Sequence, residues 1–134
     1  MATINKAYSD FQQSKVLAEI LPLETADMKW YFWKSEIDAP KTPTFGYSKD
    51  AAENCKSTEV VYLPCWSLVA LLKVIPKHIK NDNVLRIDTD EKDFSIWYDE
   101  IGCGVNTKLP DITMENPVDA CYEMIIKLHK MNLL

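Results

Sequence analysis

The most continuously apolar segment of the chain is taken to run from Pro64 to Pro76. Its leucines and alanine have high helix propensity, and apolar side chains would cover nearly every side of a helix here, so the pattern predicts a helix enclosed on several faces. Pro64 suits the first helical position, and Pro76 cannot continue the helix. The stretch is well short of the roughly 20 apolar residues needed to cross a bilayer. We therefore expect a core helix around which the rest of the chain folds.

Helical periodicity predicts two further helices, one near each end of the chain. The first spans about Asp10 to Leu21, with Ser9 or Asp10 as its N-cap. The last follows Asn116, a preferred N-cap, with Pro117 at the first helical position. Apolar residues recur on one side of each helix, so we expect both to pack on the core by that side.

Alternating and β-branched segments predict about five strands. Residues 28–34 form the most aromatic of them, with Met28, Trp30 and Phe32 on one face and Lys29, Tyr31 and Trp33 on the other. Residues 58–63 predict a strand that leads into the central helix. Residues 84–88 and 94–98 predict a hairpin joined by the polar turn 89–93. Three helices packed on a mainly antiparallel sheet of about five strands make an α+β fold.

Residues 35–57 interrupt this pattern with two prolines, a glycine and several charges. Within them, residues 44–47 are compatible with a short edge strand and residues 50–54 with a helical turn. A connection of this length is typical of a binding loop or a mobile segment. We expect a single domain over residues 1–134, with 35–57 as a long loop or partly mobile insertion.

The composition is that of a globular protein and limits the classes of partner. In 134 residues, 47% are hydrophobic and 26% charged, and the formal net charge is −5. A chain without a clustered basic face is not suited to neutralising phosphates, so we expect no nucleic acid partner. The N-terminal residues show neither a signal peptide nor an anchor, which indicates a cytoplasmic protein with no membrane partner.

Motifs for metals or cofactors are not apparent. The four cysteines are too far apart for any Cys-x-x-Cys pair, and the two histidines add no zinc-ligand spacing. Residues 88–93 superficially resemble a calcium loop, but they lack its glycine and its final glutamate. We interpret the cysteines as reduced thiols and the acidic segment as a solvated turn, and we expect no metal and no cofactor.

Two chemical alternatives remain open. At the start of the predicted central helix, Cys65 would feel a positive potential that lowers its pKa and favours the thiolate. Only His78 and His129 are available as a general base, and no motif brings either one to this thiol. A small thiol-dependent enzyme using Cys65 is one alternative function. A small-molecule pocket beneath the loop 35–57 is the other.

The strongest functional signal is aromatic. If all three helices cover one side of the sheet, then Lys29, Tyr31, Trp33 and Trp97 lie on the other side, where large rings are costly to leave in water. Tyrosine and tryptophan are favoured at interface hot spots. These four residues therefore predict a surface that contacts a protein partner or a second copy of the chain. The alternative is that the loop 35–57 folds over this face and completes a second core layer.

Two segments carry a resemblance to a known group of proteins. They are Pro64-Cys65-Trp66-Ser67-Leu68-Val69-Ala70-Leu71-Leu72 and the final helical segment that begins Asn116-Pro117-Val118-Asp119-Ala120. With Ile20-Leu21-Pro22, the chain resembles small uncharacterised proteins encoded by phages and mobile elements of gut Bacteroidetes. The resemblance implies a bacterial or phage-borne cytoplasmic protein, and no catalytic residue comes with it. Because the strands are amphipathic and no catalytic motif is apparent, we expect a small non-enzymatic binding or adaptor protein.

Overall fold

The structure is a computed structural model that describes residues 6–35, 42–54, 59–80, 83–99 and 109–134. The chain divides into two compact units. Ala7–Ala70 make up the N-terminal unit, and Leu71–Leu134 together with Lys6 make up the C-terminal unit. Each unit contains its own antiparallel sheet, so the predicted α+β class is confirmed. The single domain over residues 1–134 stays a prediction.

The N-terminal unit is built on a three-stranded sheet. Its strands are β1 (Met28–Trp33), β2 (Thr44–Phe45) and β3 (Val60–Cys65), in the order β2-β1-β3. Helix α1 (Phe11–Ile20) packs against β3, and the short helix α2 (Lys49–Asn54) follows β2. A single 3-10 turn spans Leu23–Thr25. Both β2 and α2 lie within residues 35–57, so the edge strand and the helical turn left open by the sequence are formed.

Local hydrogen bonds explain where α1 begins. The carboxylate of Asp10 accepts a hydrogen bond from the Gln13 backbone N–H at 2.7 Å, and the Gln13 side chain accepts from the Asp10 N–H at 3.0 Å. This capping box satisfies two of the N–H groups that a helix start leaves without partners. Leu21 is extended and Pro22 follows it, so the helix ends where the sequence predicts.

The inner face of the three-stranded sheet forms a small apolar core. Met28, Trp30 and Cys65 are buried there. Partly buried hydrophobic side chains pack against them, namely Tyr8, Phe11, Phe32 and Leu63. The ring of Phe11 meets that of Trp30 edge-on at 6.0 Å, an arrangement favoured by the ring quadrupoles. The predicted division of β1 into an inner and an outer face is therefore confirmed on the inner side.

The central helix is shorter than the sequence predicts. Pro64 and Cys65 belong to β3, and α3 spans only Leu68–Val74, with the boundary between the two units inside it. Trp66 lies between β3 and α3, and Ser9 holds it there: the Trp66 N–H donates to Ser9 Oγ at 3.1 Å, and the Trp66 carbonyl accepts from the Ser9 N–H at 2.8 Å. The prediction that Pro64 begins the helix is wrong, since contacts with a distant segment outweigh local helix propensity.

The C-terminal unit is built on a four-stranded sheet. Its strands follow one another in chain order as β4 (His78–Ile79), β5 (Asn83–Thr89), β6 (Phe94–Asp99) and β7 (Asp111–Met114). The predicted hairpin is confirmed as β5 and β6, with Ile87 opposite Ile96. Helix α4 (Pro117–Lys130) packs on β6 and β7. Its start is also as predicted, because Asn116 Oδ1 accepts a hydrogen bond from the Val118 N–H at 2.8 Å.

Alternation along β6 builds the core of this unit. Phe94, Ile96 and Tyr98 are buried on the face toward α4, as their period of two predicts. The helix contributes fully buried side chains at helical spacing, namely Val118, Cys121, Met124, Ile125 and Leu128. The hydroxyl of Tyr98 is satisfied within the core, because it donates to the Pro76 carbonyl at 2.6 Å.

The number and arrangement of elements differ from the sequence prediction. In the described parts of the chain there are four α-helices and two antiparallel sheets of three and four strands. The prediction of three helices on one sheet of about five strands is wrong in these counts. One strand that the sequence did not indicate, β4, is two residues long and carries too little sequence pattern to be predicted.

Candidate functional site

Strand pairing brings tyrosines together on the outer face of the three-stranded sheet. Tyr31 of β1 lies directly opposite Tyr62 of β3, and their rings meet edge-on with centroids 5.8 Å apart. Tyr47, which follows β2, places its ring 5.5 Å from that of Tyr62. Lys29 and Trp33 share this side of β1 with Tyr31 because side chains alternate along a strand. We call the surface of these five residues the aromatic face.

Polar contacts hold the aromatic face in place. The ammonium group of Lys29 lies 5.6 Å from the centre of the Tyr62 ring, within the range of a cation–π interaction. The Tyr62 hydroxyl accepts a hydrogen bond from the Ser48 N–H at 3.3 Å. Burial raises the pKa of the Tyr47 phenol, with smaller contributions from Tyr62 and Glu53. The Tyr47 phenol therefore stays neutral at physiological pH.

Exposure distinguishes the two sides of β1. Tyr31 and Trp33 are each 49% exposed, while Trp30 on the inner face is 4% exposed. Tyr47 comes from the segment 35–57, so part of that segment does contact the face, as the alternative interpretation of the sequence expects. This contact still leaves about half of the surface of Tyr31 and of Trp33 accessible. The aromatic face thus offers two partly accessible rings beside a lysine.

Trp97 lies in a different sheet. It lies in β6 of the C-terminal unit, opposite Arg86 of β5, and is half-buried. Its indole N–H donates to one oxygen of Asp99 at 3.2 Å, while Arg86 Nε donates to the other at 3.2 Å. Ser95 and Thr113 form a hydrogen bond on the same face. β1 and β6 belong to different sheets, so strand pairing does not place Trp97 beside Tyr31 and Trp33, and their common face stays a prediction.

Cys65 lies at the end of β3 and not at the start of a helix. Its side chain is fully buried, and its thiol donates to the Ser9 carbonyl at 3.4 Å. Burial raises the pKa of this thiol, and the nearby Asp27 raises it further, although hydrogen bonds from Ser9, Ser14 and Trp66 act in the opposite direction. The basis for the predicted thiolate was the positive potential at a helix start. That basis is absent at this position, and the thiol is disfavoured as a nucleophile.

The general bases considered for Cys65 lie elsewhere in the chain. His78 is exposed in β4 and His129 is exposed in α4, both within the C-terminal unit. The polar groups around the thiol come instead from Ser9, Ser14 and Asp27. Cys65 and Cys121 are both free and buried, as expected of reduced thiols, while positions 55 and 103 lie outside the described residues.

The pocket predicted beneath the loop 35–57 stays a prediction, because residues 36–41 and 55–57 of that loop lie outside the described residues. A surface hollow of about 320 Å³ lies instead at the β5–β6 turn, lined by Asp90, Glu91, Lys92 and Asp93. There the Asp90 carboxylate accepts hydrogen bonds from the N–H groups of Lys92 and Asp93. These bonds lower the Asp90 pKa and account for the carboxylate as a turn-forming group.

The described ranges lack two further features. No group of three or more His, Cys, Asp or Glu side chains there is placed to hold a metal ion. No helix in those ranges is long and apolar enough to cross a membrane.

Sequence reasoning identified three of the five residues of the aromatic face and missed two. Tyr62 lies within a predicted strand, but its place opposite Tyr31 depends on the pairing of β1 with β3. Tyr47 lies in a segment where only a short edge strand was considered. To find Tyr62 and Tyr47 from the sequence, one would have to predict which strands pair with β1.

Comparisons of this chain with protein-family models, with curated proteins and with solved structures found no match.

Proposed function

We propose that this chain is a small non-enzymatic binding or adaptor protein that contacts a protein partner through the aromatic face. The observation that carries the proposal is the pair of half-exposed rings, Tyr31 and Trp33, held beside Lys29 on an ordered strand. Rigid aromatic side chains supply contact area while losing little conformational entropy on binding. The partner fits this face if it offers an apolar surface for the rings and an acidic group for the lysine.

The accessible area of the rings is enough to support binding. An aromatic side chain buries roughly 150–250 Å², so a half-exposed ring has about 100 Å² left to bury. At about 25 cal/mol per Å², each ring would contribute roughly 2–3 kcal/mol on association. Two rings together contribute a free energy of the size expected for a hot spot at a protein interface.

The chemistry around Cys65 supports a binding role over a thiol-dependent enzyme. Burial raises the pKa of the thiol, which disfavours the thiolate that a nucleophile requires. The free thiols of Cys65 and Cys121 suit the reducing cytoplasm that we propose as the location of the protein. A bacterial or phage-borne origin, as the sequence resemblance implies, is part of the same proposal.

The test is capture of partners from a bacterial lysate, followed by titration of the captured protein. Trp33→Ala should weaken the affinity by roughly 30-fold, the equivalent of about 2 kcal/mol. Trp97→Ser is the matched control, because it removes a partly exposed tryptophan from a sheet of the other unit. It should bind as the wild type does. Far-UV circular dichroism of both variants checks that each is folded.

Two results would overturn the proposal. One is capture of the same partners, with the same affinity, by wild type and by a Tyr31→Ala, Trp33→Ala double variant. The other is a larger loss of affinity in Trp97→Ser than in Trp33→Ala, which would place the binding surface on the four-stranded sheet.

A further inference from the structure

The aromatic face carries hydrogen-bond donors without partners. Within the described ranges, the indole N–H of Trp33 and the hydroxyl of Tyr31 make no hydrogen bond, and the ammonium group of Lys29 forms no ion pair. None of the five residues of the face is acidic. An indole N–H and an ammonium group can only donate, whereas a phenol donates or accepts. A ligand that suits this face is therefore rich in acceptors and poor in donors.

The two accessible rings of the face are separated by a gap. Tyr31 and Trp33 are each 49% exposed, and in the described structure their rings form no contact with each other. They lie two residues apart on one side of β1, which sets the bases of their side chains roughly 6.8 Å apart. A flat ring lying between two others, with about 3.5–4 Å to each, needs roughly 7–8 Å. The spacing is therefore close to the width of one inserted ring.

A proline-rich segment in the polyproline II conformation has the chemistry that this face requires. Each proline contributes a ring and a carbonyl but no N–H. The conformation has no internal hydrogen bonds, so its carbonyls are free to accept, and it is largely formed before binding. Grooves lined by aromatic side chains recognise such segments in several kinds of domain. A cationic ligand is disfavoured by comparison, because Lys29 already lies over the Tyr62 ring.

We propose that the aromatic face binds a proline-rich segment of its protein partner in the polyproline II conformation. One proline ring inserts between Tyr31 and Trp33, and the Trp33 indole N–H donates to a carbonyl of the segment. This inference rests on the proposed function, because it names the class of partner for the same face.

The position of Lys29 adds an acidic residue to the segment. Lys29 lies on the same side of β1, roughly 10 Å along the strand from the middle of the gap between the rings. A polyproline II segment rises about 3.1 Å per residue and has three residues per turn, so one turn covers this distance. A segment that runs along β1 therefore places an acidic side chain over Lys29 when that residue is three positions from the inserted proline.

The test is titration of synthetic peptides, followed by fluorescence polarisation. The probe has five prolines between two glutamates, so a glutamate lies three positions from the central proline in either chain direction. The wild type should bind it at least about tenfold more tightly than a peptide with alanines in place of the prolines, which lacks the rings and the preformed conformation. Replacing the glutamates by lysines should weaken binding at least about fivefold, because these would face Lys29.

Variants of Trp33 separate the ring from its N–H. Trp33→Phe keeps an aromatic ring beside the gap and removes the donor, so the probe should bind about fivefold more weakly, as expected for one lost hydrogen bond. Trp33→Ala should weaken binding roughly 30-fold. Trp97→Ser, in the four-stranded sheet, should bind the probe as the wild type does. Far-UV circular dichroism checks that each variant is folded.

Three results would overturn the inference. One is equal affinity for the proline and alanine peptides, and another is equal binding of the probe by wild type and Trp33→Ala. The third is a Trp33→Phe variant that binds as tightly as the wild type, since the indole N–H would then make no bond to the ligand.

Competition distinguishes this inference from the proposed function. The probe should displace a partner that was captured from the lysate and whose affinity depends on Trp33. A partner that depends on Trp33 but is not displaced by the probe would overturn the proline-rich ligand and leave the proposed function standing.

Discussion

Ser14 provides the sharpest stability test of the N-terminal unit. It lies inside α1, is fully buried, and accepts a hydrogen bond from the Trp30 indole N–H at 3.0 Å. Its hydroxyl also lies 2.8 Å from that of Ser9, which is fully buried as well. Ser14→Ala removes one oxygen and leaves the Trp30 N–H without its acceptor, in a place that water does not reach.

The expected cost follows from the burial of the orphaned group. A buried donor without an acceptor costs about 1–3 kcal/mol, and the lost bond to Ser9 adds about 1 kcal/mol. Alanine has the higher helix propensity, which returns roughly 0.5 kcal/mol inside α1. The free energy of unfolding should therefore fall by about 2 kcal/mol in Ser14→Ala.

Ser95→Ala is the matched control. The hydroxyl of Ser95 makes a similar bond of 2.9 Å to Thr113, but at an exposed site where water replaces the lost partner. It should cost no more than about 0.5 kcal/mol. Urea unfolding followed by both tryptophan fluorescence and far-UV circular dichroism gives the two free energies. Two probes are needed because the serines lie in different units, and a unit that unfolds separately would show as a second transition.

A double-mutant cycle assigns the cost to the indole. Ser14→Ala should be less destabilising by at least about 1 kcal/mol when Trp30 is already phenylalanine, because no N–H is then left unpaired. If Ser14→Ala costs no more than Ser95→Ala, or costs the same with and without the indole, the reasoning about the buried hydrogen bond is refuted.

Two further predictions concern buried titratable groups. Burial raises the pKa of Tyr98 to about 12, above the usual value near 10, so its contribution to stability is complete below pH 10 and is lost as the pH rises toward 12. In urea unfolding at several pH values, Tyr98→Phe should lose less stability than the wild type over this interval, and equal losses would contradict the assignment. Burial also raises the pKa of Cys65 and raises that of Cys121 to about 12, so iodoacetamide at pH 8 should label neither in the folded protein and both in urea. Site-resolved mass spectrometry measures this, and labelling of folded Cys65 at the rate of a free cysteine would restore the case for a thiol-dependent enzyme.

The elements that the sequence predicted correctly have causes within a few residues. The start of α1 depends on the reciprocal bonds of Asp10 and Gln13, and that of α4 on the Asn116 side chain. The β5–β6 hairpin joins two alternating segments through one short turn. The boundary between β3 and α3 has a distant cause, since the Trp66 N–H between them donates to Ser9, which lies more than fifty positions away in the chain. A prediction from helix propensity alone therefore starts the central helix too early, at Pro64 instead of Leu68.

The aromatic face likewise contains residues that the sequence could predict and residues that it could not. The alternation that puts Lys29, Tyr31 and Trp33 on one side of β1 is a property of any strand and could be predicted from the sequence. The places of Tyr62 and Tyr47 beside these residues, and of Trp97 in another sheet, could not be predicted in the same way. They depend on strand pairing, which is set by cross-strand packing between segments far apart in sequence. The burial that raises the Cys65 pKa likewise depends on the folded surroundings. By itself the sequence determined the starts of α1 and α4, the strand faces and the α+β class, all of which follow from local periodicity and capping. Only the tertiary structure decided which strands share a sheet, and therefore which side chains form the aromatic face.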